Sequence, residues 1–314
     1  MSAVQVAAAV VANEAAGAYR RIVLAAPGAA ELAMPGQFVA LGVGDEPTAM
    51  LLRRCFSIHR ASGGGAGVRG PLGPAQGPSG PAQGPTVEIV VAPHGPGSTW
   101  ITRRRPGDVI DLVGPLGRPF AVPDAGVRVV LVGGGYGSAP LTWFAEELHR
   151  SGVEVDLLLG AATAGRLFGA DEGEAAGAAV QVTTDDGSAG THGRVTAALP
   201  RLLRRGAGEP EPVEVYACGP MAMLKAVAKL SAGHGCRTWV AVEESMACGI
   251  GVCMTCVLPV RDSSGSTRMV RSCVEGPTFD ARAVRWDAVL AGPGGKGSAV
   301  PADCLGAPRP GGHQ

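Results

Sequence analysis

Four cysteines near the C-terminal end of the sequence have the spacing of an iron–sulfur site. Cys248, Cys253 and Cys256 follow the pattern C-x4-C-x2-C, and Cys273 comes seventeen residues after the third cysteine. Plant-type [2Fe–2S] clusters are held by four thiolates with this kind of spacing. Structural zinc sites usually use two C-x2-C pairs, and this stretch contains one, so zinc or unpaired core cysteines are the weaker interpretations.

A glycine-containing loop and a hairpin would bring these four thiols together. Gly249 and Gly251 allow the loop to curl without side-chain clashes. Residues 257–260 and 267–270 have the composition of two strands, and residues 262–265 between them form a turn. The hairpin that this pattern predicts would carry Cys273 back to the loop.

A second group of side chains, around position 55, suits a flavin nucleotide. Arg54 can pair with a pyrophosphate, Phe56 can stack on a flat ring, and Ser57 can hydrogen-bond a ring nitrogen. The alternative is a solvated strand end. Gly97 and Ser98 lie in a loop before a predicted short helix, where backbone N–H groups could approach a phosphate, although an ordinary loop has the same composition.

A third group is the glycine-rich turn after residues 127–132, which are almost wholly apolar. The turn contains Gly135, Gly137 and Pro140 in the pattern G-x-G-x-x-P, and a helix is predicted over residues 141–150. Strand, glycine-rich turn and helix in this order are typical of dinucleotide binding.

The chain after this turn alternates between strand and helix patterns. Strands are predicted at residues 153–159, 179–183 and 213–218, with helices at residues 194–204 and 221–231. This alternation predicts a parallel sheet with helices on both faces and a ligand crevice at the strand ends. A buried free cysteine is the simpler interpretation of Cys218. The candidate nucleotide-binding residues are Gly133, Gly134, Gly135, Gly137, Asp185, Cys218, Gly219 and Pro220.

The same region favours NAD(H) over NADP(H). A 2′-phosphate needs guanidinium or ammonium partners, and the first basic residue after the second strand is Arg166. After the third strand come Asp185 and Asp186, which would repel a phosphate dianion and could accept a hydrogen bond from a ribose hydroxyl.

The N-terminal part reads as a small antiparallel β-barrel. Short β-prone runs at residues 4–11, 19–25, 37–43 and 87–91 are separated by turn residues. Residues 62–85 consist almost wholly of Gly, Pro, Ala, Ser and Gln, and we predict a disordered insertion in a hairpin. The predicted fold is an α+β multidomain chain: a barrel over residues 1–122, an α/β domain over 123–235, a cluster domain over 236–290 and a flexible tail over 291–314.

Composition argues against several other classes of function. The 27 basic and 27 acidic residues cancel, so charge favours neither nucleic acid nor an anionic membrane. Neither a signal peptide nor a transmembrane span is predicted. The cysteines outside the cluster pattern are scattered, which favours a reducing, cytoplasmic location; they are Cys55, Cys218, Cys236 and Cys304.

Several motifs agree in their order along the chain with a known superfamily. They are Arg54-x-x-Ser57, Gly97-Ser98, Gly114-Pro115-Leu116-Gly117, the glycines from Gly133, Cys218-Gly219-Pro220 and the C-terminal cysteines. On these motifs the chain resembles the ferredoxin–NADP⁺ reductase superfamily. Within that superfamily it is most similar to the electron-transfer subunits of class B dihydroorotate dehydrogenases.

The resemblance implies positions for two cofactors. The cluster would be bound by Cys248, Cys253, Cys256 and Cys273. FAD would lie along Arg54, Cys55, Phe56, Ser57, Val90, Val91, Ala92, Gly97 and Ser98. The chain departs from the family where Cys55 replaces a frequent Pro, and where Pro93 and His94 replace a common Tyr-Arg pair.

The resemblance also implies an electron relay in pyrimidine biosynthesis. NAD would exchange a hydride with FAD, and the cluster would pass single electrons between FAD and an FMN-containing dihydroorotate dehydrogenase catalytic subunit, in a heterotetramer with two copies of each chain. This chain then supplies no general acid or base, only binding and orientation. Two alternatives stay open: a reductase that serves an oxygenase or hydrogenase, and a non-enzymatic iron–sulfur redox sensor.

Overall fold

The chain folds into a closed barrel, a larger mixed sheet and a hairpin. The computed structural model describes residues 3–44, 50–63, 84–204 and 212–289. Within these ranges there are a six-stranded antiparallel barrel, a seven-stranded sheet and a two-stranded sheet. The predicted barrel and the predicted α/β domain are therefore confirmed. The prediction of a flexible tail over residues 291–314 lies outside the described residues.

The barrel is closed by its first and last strands. In chain order its strands are β1 (Val4–Ala16), β2 (Tyr19–Ala25), β3 (Phe38–Leu41), β4 (Arg54–Ser62), β5 (Thr86–Val91) and β6 (Val109–Leu116). Around the barrel they follow the order β1-β2-β5-β4-β3-β6. Their inward side chains form a buried core that includes Ile22, Leu24, Ile58, Ile89 and Leu112. Two short helices, α1 (Ala29–Leu32) and α2 (Pro96–Thr102), connect strands.

The predicted insertion begins and ends at a β-hairpin. Strands β4 and β5 pair as far as Ser62 and Thr86, whose hydroxyl oxygens are 2.6 Å apart. Gly63 lies against Pro85. Residues 64–83 lie outside the described residues, so their disorder stays a prediction.

The larger sheet is parallel except at one edge. Its strands are β7 (Arg128–Gly134), β8 (Val155–Ala161), β9 (Ala179–Thr184), β10 (Thr191–His192), β11 (Val213–Cys218), β12 (Arg237–Ala241) and, antiparallel to β12, β15 (Thr278–Asp280). They follow the order β10-β9-β8-β7-β11-β12-β15. The predicted boundary at residue 236 divides this sheet, because β12 and β15 both lie beyond it.

Helices cover both faces of this sheet. They are α3 (Ala139–Arg150), α4 (Ala170–Ala175), α5 (Val195–Leu203) and α6 (Met221–Gly233). Val130 and Val132 face α5 and α6, whereas Val129 and Leu131 face α3. Because side chains of a strand alternate between faces, β7 is buried on both sides, and its unbroken apolar sequence follows from that position.

The barrel and the sheet domain are joined by a buried polar contact. His59 of β4 has its Nδ1 atom 2.7 Å from the Ala139 carbonyl oxygen and its Nε2 atom 3.1 Å from Glu172 Oε2. An Arg60–Glu146 ion pair lies beside it. Burial alone would raise the pKa of Glu172, but the His59 contact and the charges of His59 and Arg60 lower it. These contacts hold α3 and α4 against the barrel.

The remaining elements form the cluster unit. Strands β13 (Val257–Arg261) and β14 (Thr267–Arg271) form the predicted hairpin, followed by α7 (Ser272–Glu275) and α8 (Trp286–Val289). Leu258, Val260 and Val270 of the hairpin pack into the same core as β11 and β12. Among the described helices none is long and apolar enough to cross a membrane.

Candidate cluster, flavin and nucleotide sites

The four cysteines of the C-terminal motif are arranged as two pairs. A hydrogen bond links the side chains of Cys248 and Cys253, and the backbone N–H of Cys273 donates to Cys256 Sγ at 3.4 Å. Among the described residues no three Cys, His, Asp or Glu side chains form a group that could hold one metal ion. Two thiol pairs suit a two-iron cluster better than a single metal ion, because each iron of the cluster takes two protein ligands.

The two pairs differ in environment. Cys253 is exposed, and hydrogen bonds from the Thr255 side chain and backbone lower its pKa to about 6. Cys273 is buried beside Cys256, and both its burial and this neighbour raise its pKa to about 12. Cys253 therefore loses its proton more readily than Cys273 does.

Backbone geometry and β14 shape the loop that carries three of these ligands. Gly249 and Gly251 have φ of +72° and +87°, and Met254 has φ of +58°, which is unfavourable for a residue with a side chain. The Arg271 guanidinium donates to the Gly251 carbonyl, and the Ser272 N–H donates to the Cys256 carbonyl at 2.8 Å. These two bonds tie the loop to the hairpin that delivers Cys273.

The candidate flavin residues of β4 meet the loop at Gly97. A Cβ placed on Gly97 would lie 2.5 Å from Arg54 Nε, so only glycine leaves room for this guanidinium. Gly97 and Ser98 lie inside the first turn of α2, not before it as predicted. The Ser98 hydroxyl accepts hydrogen bonds from the N–H groups of His94 and Gly95. Ser98 therefore shapes the turn beneath Arg54.

Residues of β4 alternate between the barrel core and its outer face. Phe56 packs against the barrel core, whereas Cys55 packs with Phe38, Ala40 and the buried cluster cysteines. Burial, together with the cluster cysteines, raises the pKa of Cys55 to about 12. Cys55 is therefore a neutral thiol at pH 7.

The candidate residues of β5 play different parts. Val90 and Val91 are buried in apolar packing, so only their backbone is available to a flavin. Ala92 lies at the edge of a cavity of 630 Å³ between the barrel and the parallel sheet. Other residues that line this cavity are Tyr19, His94, Gly134, Gly135, Tyr136, Arg166, Asp185, Arg194, Pro220 and Met223.

The cavity contains only part of the predicted nucleotide-binding set. Gly134, Gly135, Asp185 and Pro220 line it. Gly133, Gly137, Cys218 and Gly219 are not among its lining residues. A Cβ on Gly137 would lie 2.8 Å from the Cys218 carbonyl oxygen, so this glycine permits contact between the turn and the residues after β11.

Aromatic rings close one end of the cavity. Tyr136 contacts Tyr19 with ring centroids 5.8 Å apart and His94 with centroids 5.7 Å apart. Burial raises the pKa of Tyr136 to about 12, and the Glu243 carboxylate adds to the effect. Part of the Glu243 side chain is exposed, and desolvation by the protein atoms around its carboxylate raises its pKa.

Sequence comparison relates this chain to proteins of known function. A sequence profile of the iron–sulfur cluster binding domain of dihydroorotate dehydrogenase B matches residues 243–285. The dihydroorotate dehydrogenase B (NAD(+)) electron transfer subunit of Desulforamulus reducens is 33% identical over 262 residues, which cover 83% of this chain and 90% of the relative. The chain belongs to the family of dihydroorotate dehydrogenase B electron transfer subunits. The subunit of Bacillus caldolyticus is 38% identical over 198 residues, covering 62% of this chain and 72% of the relative.

A solved structure extends the similarity to the whole fold. The NADH-dependent reduced ferredoxin–NADP oxidoreductase, solved for insight into flavin-based electron bifurcation, superposes with a TM-score of 0.72 and 28% identity. The match covers 90% of this chain and 91% of that chain. A cytochrome P450 reductase of Amycolatopsis matches with a TM-score of 0.55 and 25% identity, over 74% of this chain and 66% of that chain.

The cofactors of this oxidoreductase component are FAD, a [2Fe–2S] cluster and NAD(H), and its residues fit all three. The two thiol pairs suit the cluster, the Arg54 guanidinium seated over Gly97 suits a pyrophosphate, and the cavity beside Gly134 suits a nucleotide. Sequence reasoning missed Tyr19, Arg194 and Met223 as cavity residues. Arg194 is the first residue of the helix predicted over residues 194–204 and follows a glycine, which was the one available signal.

Proposed function

We propose that this chain relays electrons between NAD(H) and an FMN-containing dihydroorotate dehydrogenase catalytic subunit. The observation that carries the proposal is the position of the flavin residues. The nucleotide cavity reaches the barrel at Ala92 and His94, whereas the cluster loop contacts the barrel at Cys55. A flavin along β4 therefore lies between a hydride donor site and a one-electron carrier.

The protein residues bind and orient the groups of this relay. When bound, FAD supplies the conversion between a two-electron hydride and single electrons. Arg54 would pair with its pyrophosphate, Ser57 would offer a hydroxyl to its ring, and Tyr136 would cover the entrance on the nucleotide side. The four cysteines would hold the cluster, and no side chain is required as a proton donor to a substrate carbon.

Apolar side chains around the cluster loop support a protein partner. Ile250, Val252 and Met254 are 52%, 73% and 55% exposed, and Met269 and Val274 are exposed beside them. Large apolar residues grouped on a surface are typical of a protein interface. We assign this surface, named here the cluster rim (Ile250, Val252, Met254, Met269 and Val274), to the catalytic subunit, in a cytoplasmic complex with two copies of each chain.

Reconstitution tests the proposal. The chain is co-expressed with an FMN-containing dihydroorotate dehydrogenase subunit, and the purified complex is mixed with dihydroorotate and NAD⁺. We expect NADH and orotate to form in equal amounts, and NADH alone to bleach the flavin absorbance of this chain. Bleaching without coupled turnover would favour a reductase for another partner, and absence of bleaching would favour a redox sensor.

A further inference from the structure

The cluster loop packs closely against the barrel at Gly249. Gly249 is buried, and a Cβ placed on it would lie 3.0 Å from Cys55 Sγ, 3.3 Å from Ala40 Cβ and 3.5 Å from Phe38 Cε2. We name these three barrel residues the loop floor. The first contact is tight enough that either the loop or the floor would have to move to admit a methyl group. Gly249 directly follows the cluster ligand Cys248.

The loop floor includes Cys55 of β4, the strand that carries the flavin residues, and two residues of the neighbouring strand β3. Ala40 of β3 is paired with Cys55 of β4, and Phe38 is paired with Ser57. Since side chains two residues apart lie on one face of a strand, about 7 Å apart, Cys55 and Ser57 share the outer face of the barrel. The same face therefore presents a hydroxyl to the flavin and a thiol to the cluster loop.

The buried ligand pair reinforces this contact. Cys256 and Cys273 pack in one apolar group with Phe38, Ala40 and Cys55. The floor thus touches the loop beside Cys248 and also the two buried ligands. The position of the cluster relative to β4 depends on how closely these residues pack.

We propose that Gly249 and Cys55 are positioning residues that set the flavin-to-cluster separation and with it the rate of one-electron transfer. This inference rests on the proposed function. In the step concerned, a flavin that has taken a hydride from NADH is oxidised by one electron and the cluster is reduced by that electron. No bond to a protein atom forms or breaks. Electron transfer through protein slows steeply with distance, so a displaced loop slows this step. The rate of hydride transfer from NADH to the flavin does not change, and the rate of cluster reduction can be compared with it.

The first test is Gly249→Ala, with Gly265→Ala as its matched control. Both glycines have positive φ, +72° and +83°, but Gly265 lies in the β13–β14 turn with nothing near its added Cβ. Both variants therefore carry comparable backbone strain, and only the first meets the floor. In stopped-flow reduction by NADH, we expect cluster reduction relative to flavin reduction to slow about twofold in Gly249→Ala alone, because the added methyl displaces the contact by a few tenths of an ångström.

The second test relieves the contact from the barrel side. In Cys55→Ala/Gly249→Ala the sulfur that the new methyl meets is absent, so we expect part of the lost rate to return. Pulsed EPR on protein that holds two electrons, one on the flavin and one on the cluster, measures the separation of the two spins through their magnetic coupling. We expect a longer separation in Gly249→Ala and a value closer to that of the wild type in the double variant.

Three results would overturn the inference: an unchanged ratio of rates in Gly249→Ala, equal slowing in both single glycine variants, or no recovery in the double variant. If Gly249→Ala takes up no cluster, Cys55→Leu enlarges the floor without altering the loop backbone, and an unchanged spin separation there would refute the proposal. Failure of the wild-type chain to bind FAD or the cluster would refute the proposed function itself, which separates the two failures.

Discussion

At the scale of single residues, the buried cysteine pair decides whether the cluster forms. Cys256 is almost fully buried, and its Sγ atom accepts the N–H of Cys273. We expect Cys256→Ser to lose the cluster and keep FAD, because three thiolates cannot satisfy both irons and Arg54 lies on the barrel. NADH–dye reductase activity should persist, whereas transfer to the catalytic subunit should be lost. Iron content, flavin content and both activities measure this.

A matched control for this variant lies in the sheet domain. Cys236→Ser changes a half-buried cysteine outside the cluster motif, whose Sγ atom contacts the His234 carbonyl. It should keep iron, flavin and both activities. Coupled dihydroorotate:NAD⁺ turnover in Cys256→Ser would show that electrons bypass the cluster.

Coenzyme preference also depends on single side chains. Asp185 lines the cavity together with Arg166 and Arg194, whereas Asp186 accepts hydrogen bonds from Ser188. We expect NADH to be preferred over NADPH, and Asp185→Asn to reduce that preference about threefold to tenfold. The effect is limited because the carboxylate is exposed and therefore screened. Ratios of kcat/KM for the two coenzymes measure it.

The neighbouring carboxylate provides the comparison. Asp186→Asn removes the same charge one residue away, outside the cavity lining, and should change the ratio less. Equal or better kcat/KM with NADPH in the wild type would show that Arg166 and Arg194 bind the 2′-phosphate.

At the scale of elements, helices and strands could be predicted from the periodicity of the sequence, whereas their pairing partners in the tertiary structure could not. Strand β7 could be predicted because an unbroken apolar run of this length is typical of a buried strand. The cluster hairpin could be predicted because two β-prone runs on either side of a turn are typical of a hairpin. Strand β1 runs to Ala16, beyond the predicted end, because its second half, which includes Asn13 and Glu14, pairs with β2. Such pairing partners are not local information, so periodicity alone could not supply them.

The β4–β5 hairpin gives an element-scale prediction. Its two strands already meet at Ser62 and Thr86. Replacing residues 64–83 by an Asn-Gly turn should leave FAD content unchanged and stabilise the fold by about 1–2 kcal/mol, because a shorter loop costs less entropy to close. Thermal unfolding and flavin content measure this. A Gly/Ser segment of the original length should behave as the wild type, and loss of FAD in both variants would show that the segment itself supports the site.

At the scale of the whole molecule, function depends on contacts between parts that are distant in sequence. Cys55 was expected beside FAD, and the fold also brings it to Gly249, nearly two hundred positions later. Arg194 reaches the cavity because α5 begins at the carboxyl edge of the sheet. The Cys55–Gly249 contact has no local sequence signal, because it arises from the packing of the barrel against the cluster loop. The position of Arg194 in the cavity follows from the assembly of the sheet.

The cluster rim gives a prediction for the assembled complex. Val252 is 73% exposed in the cluster loop, whereas Val109 is 60% exposed at the start of β6 on the barrel. We expect Val252→Asp to weaken association with the catalytic subunit by about tenfold to a hundredfold, because an unpaired carboxylate buried in an interface costs about 1–3 kcal/mol. Val109→Asp introduces the same charge away from the rim and should bind normally. Affinity is measured by titration of the purified subunits, with iron and flavin contents of each variant matched to the wild type. Equal weakening by both substitutions, or by neither, would place the partner elsewhere on the chain.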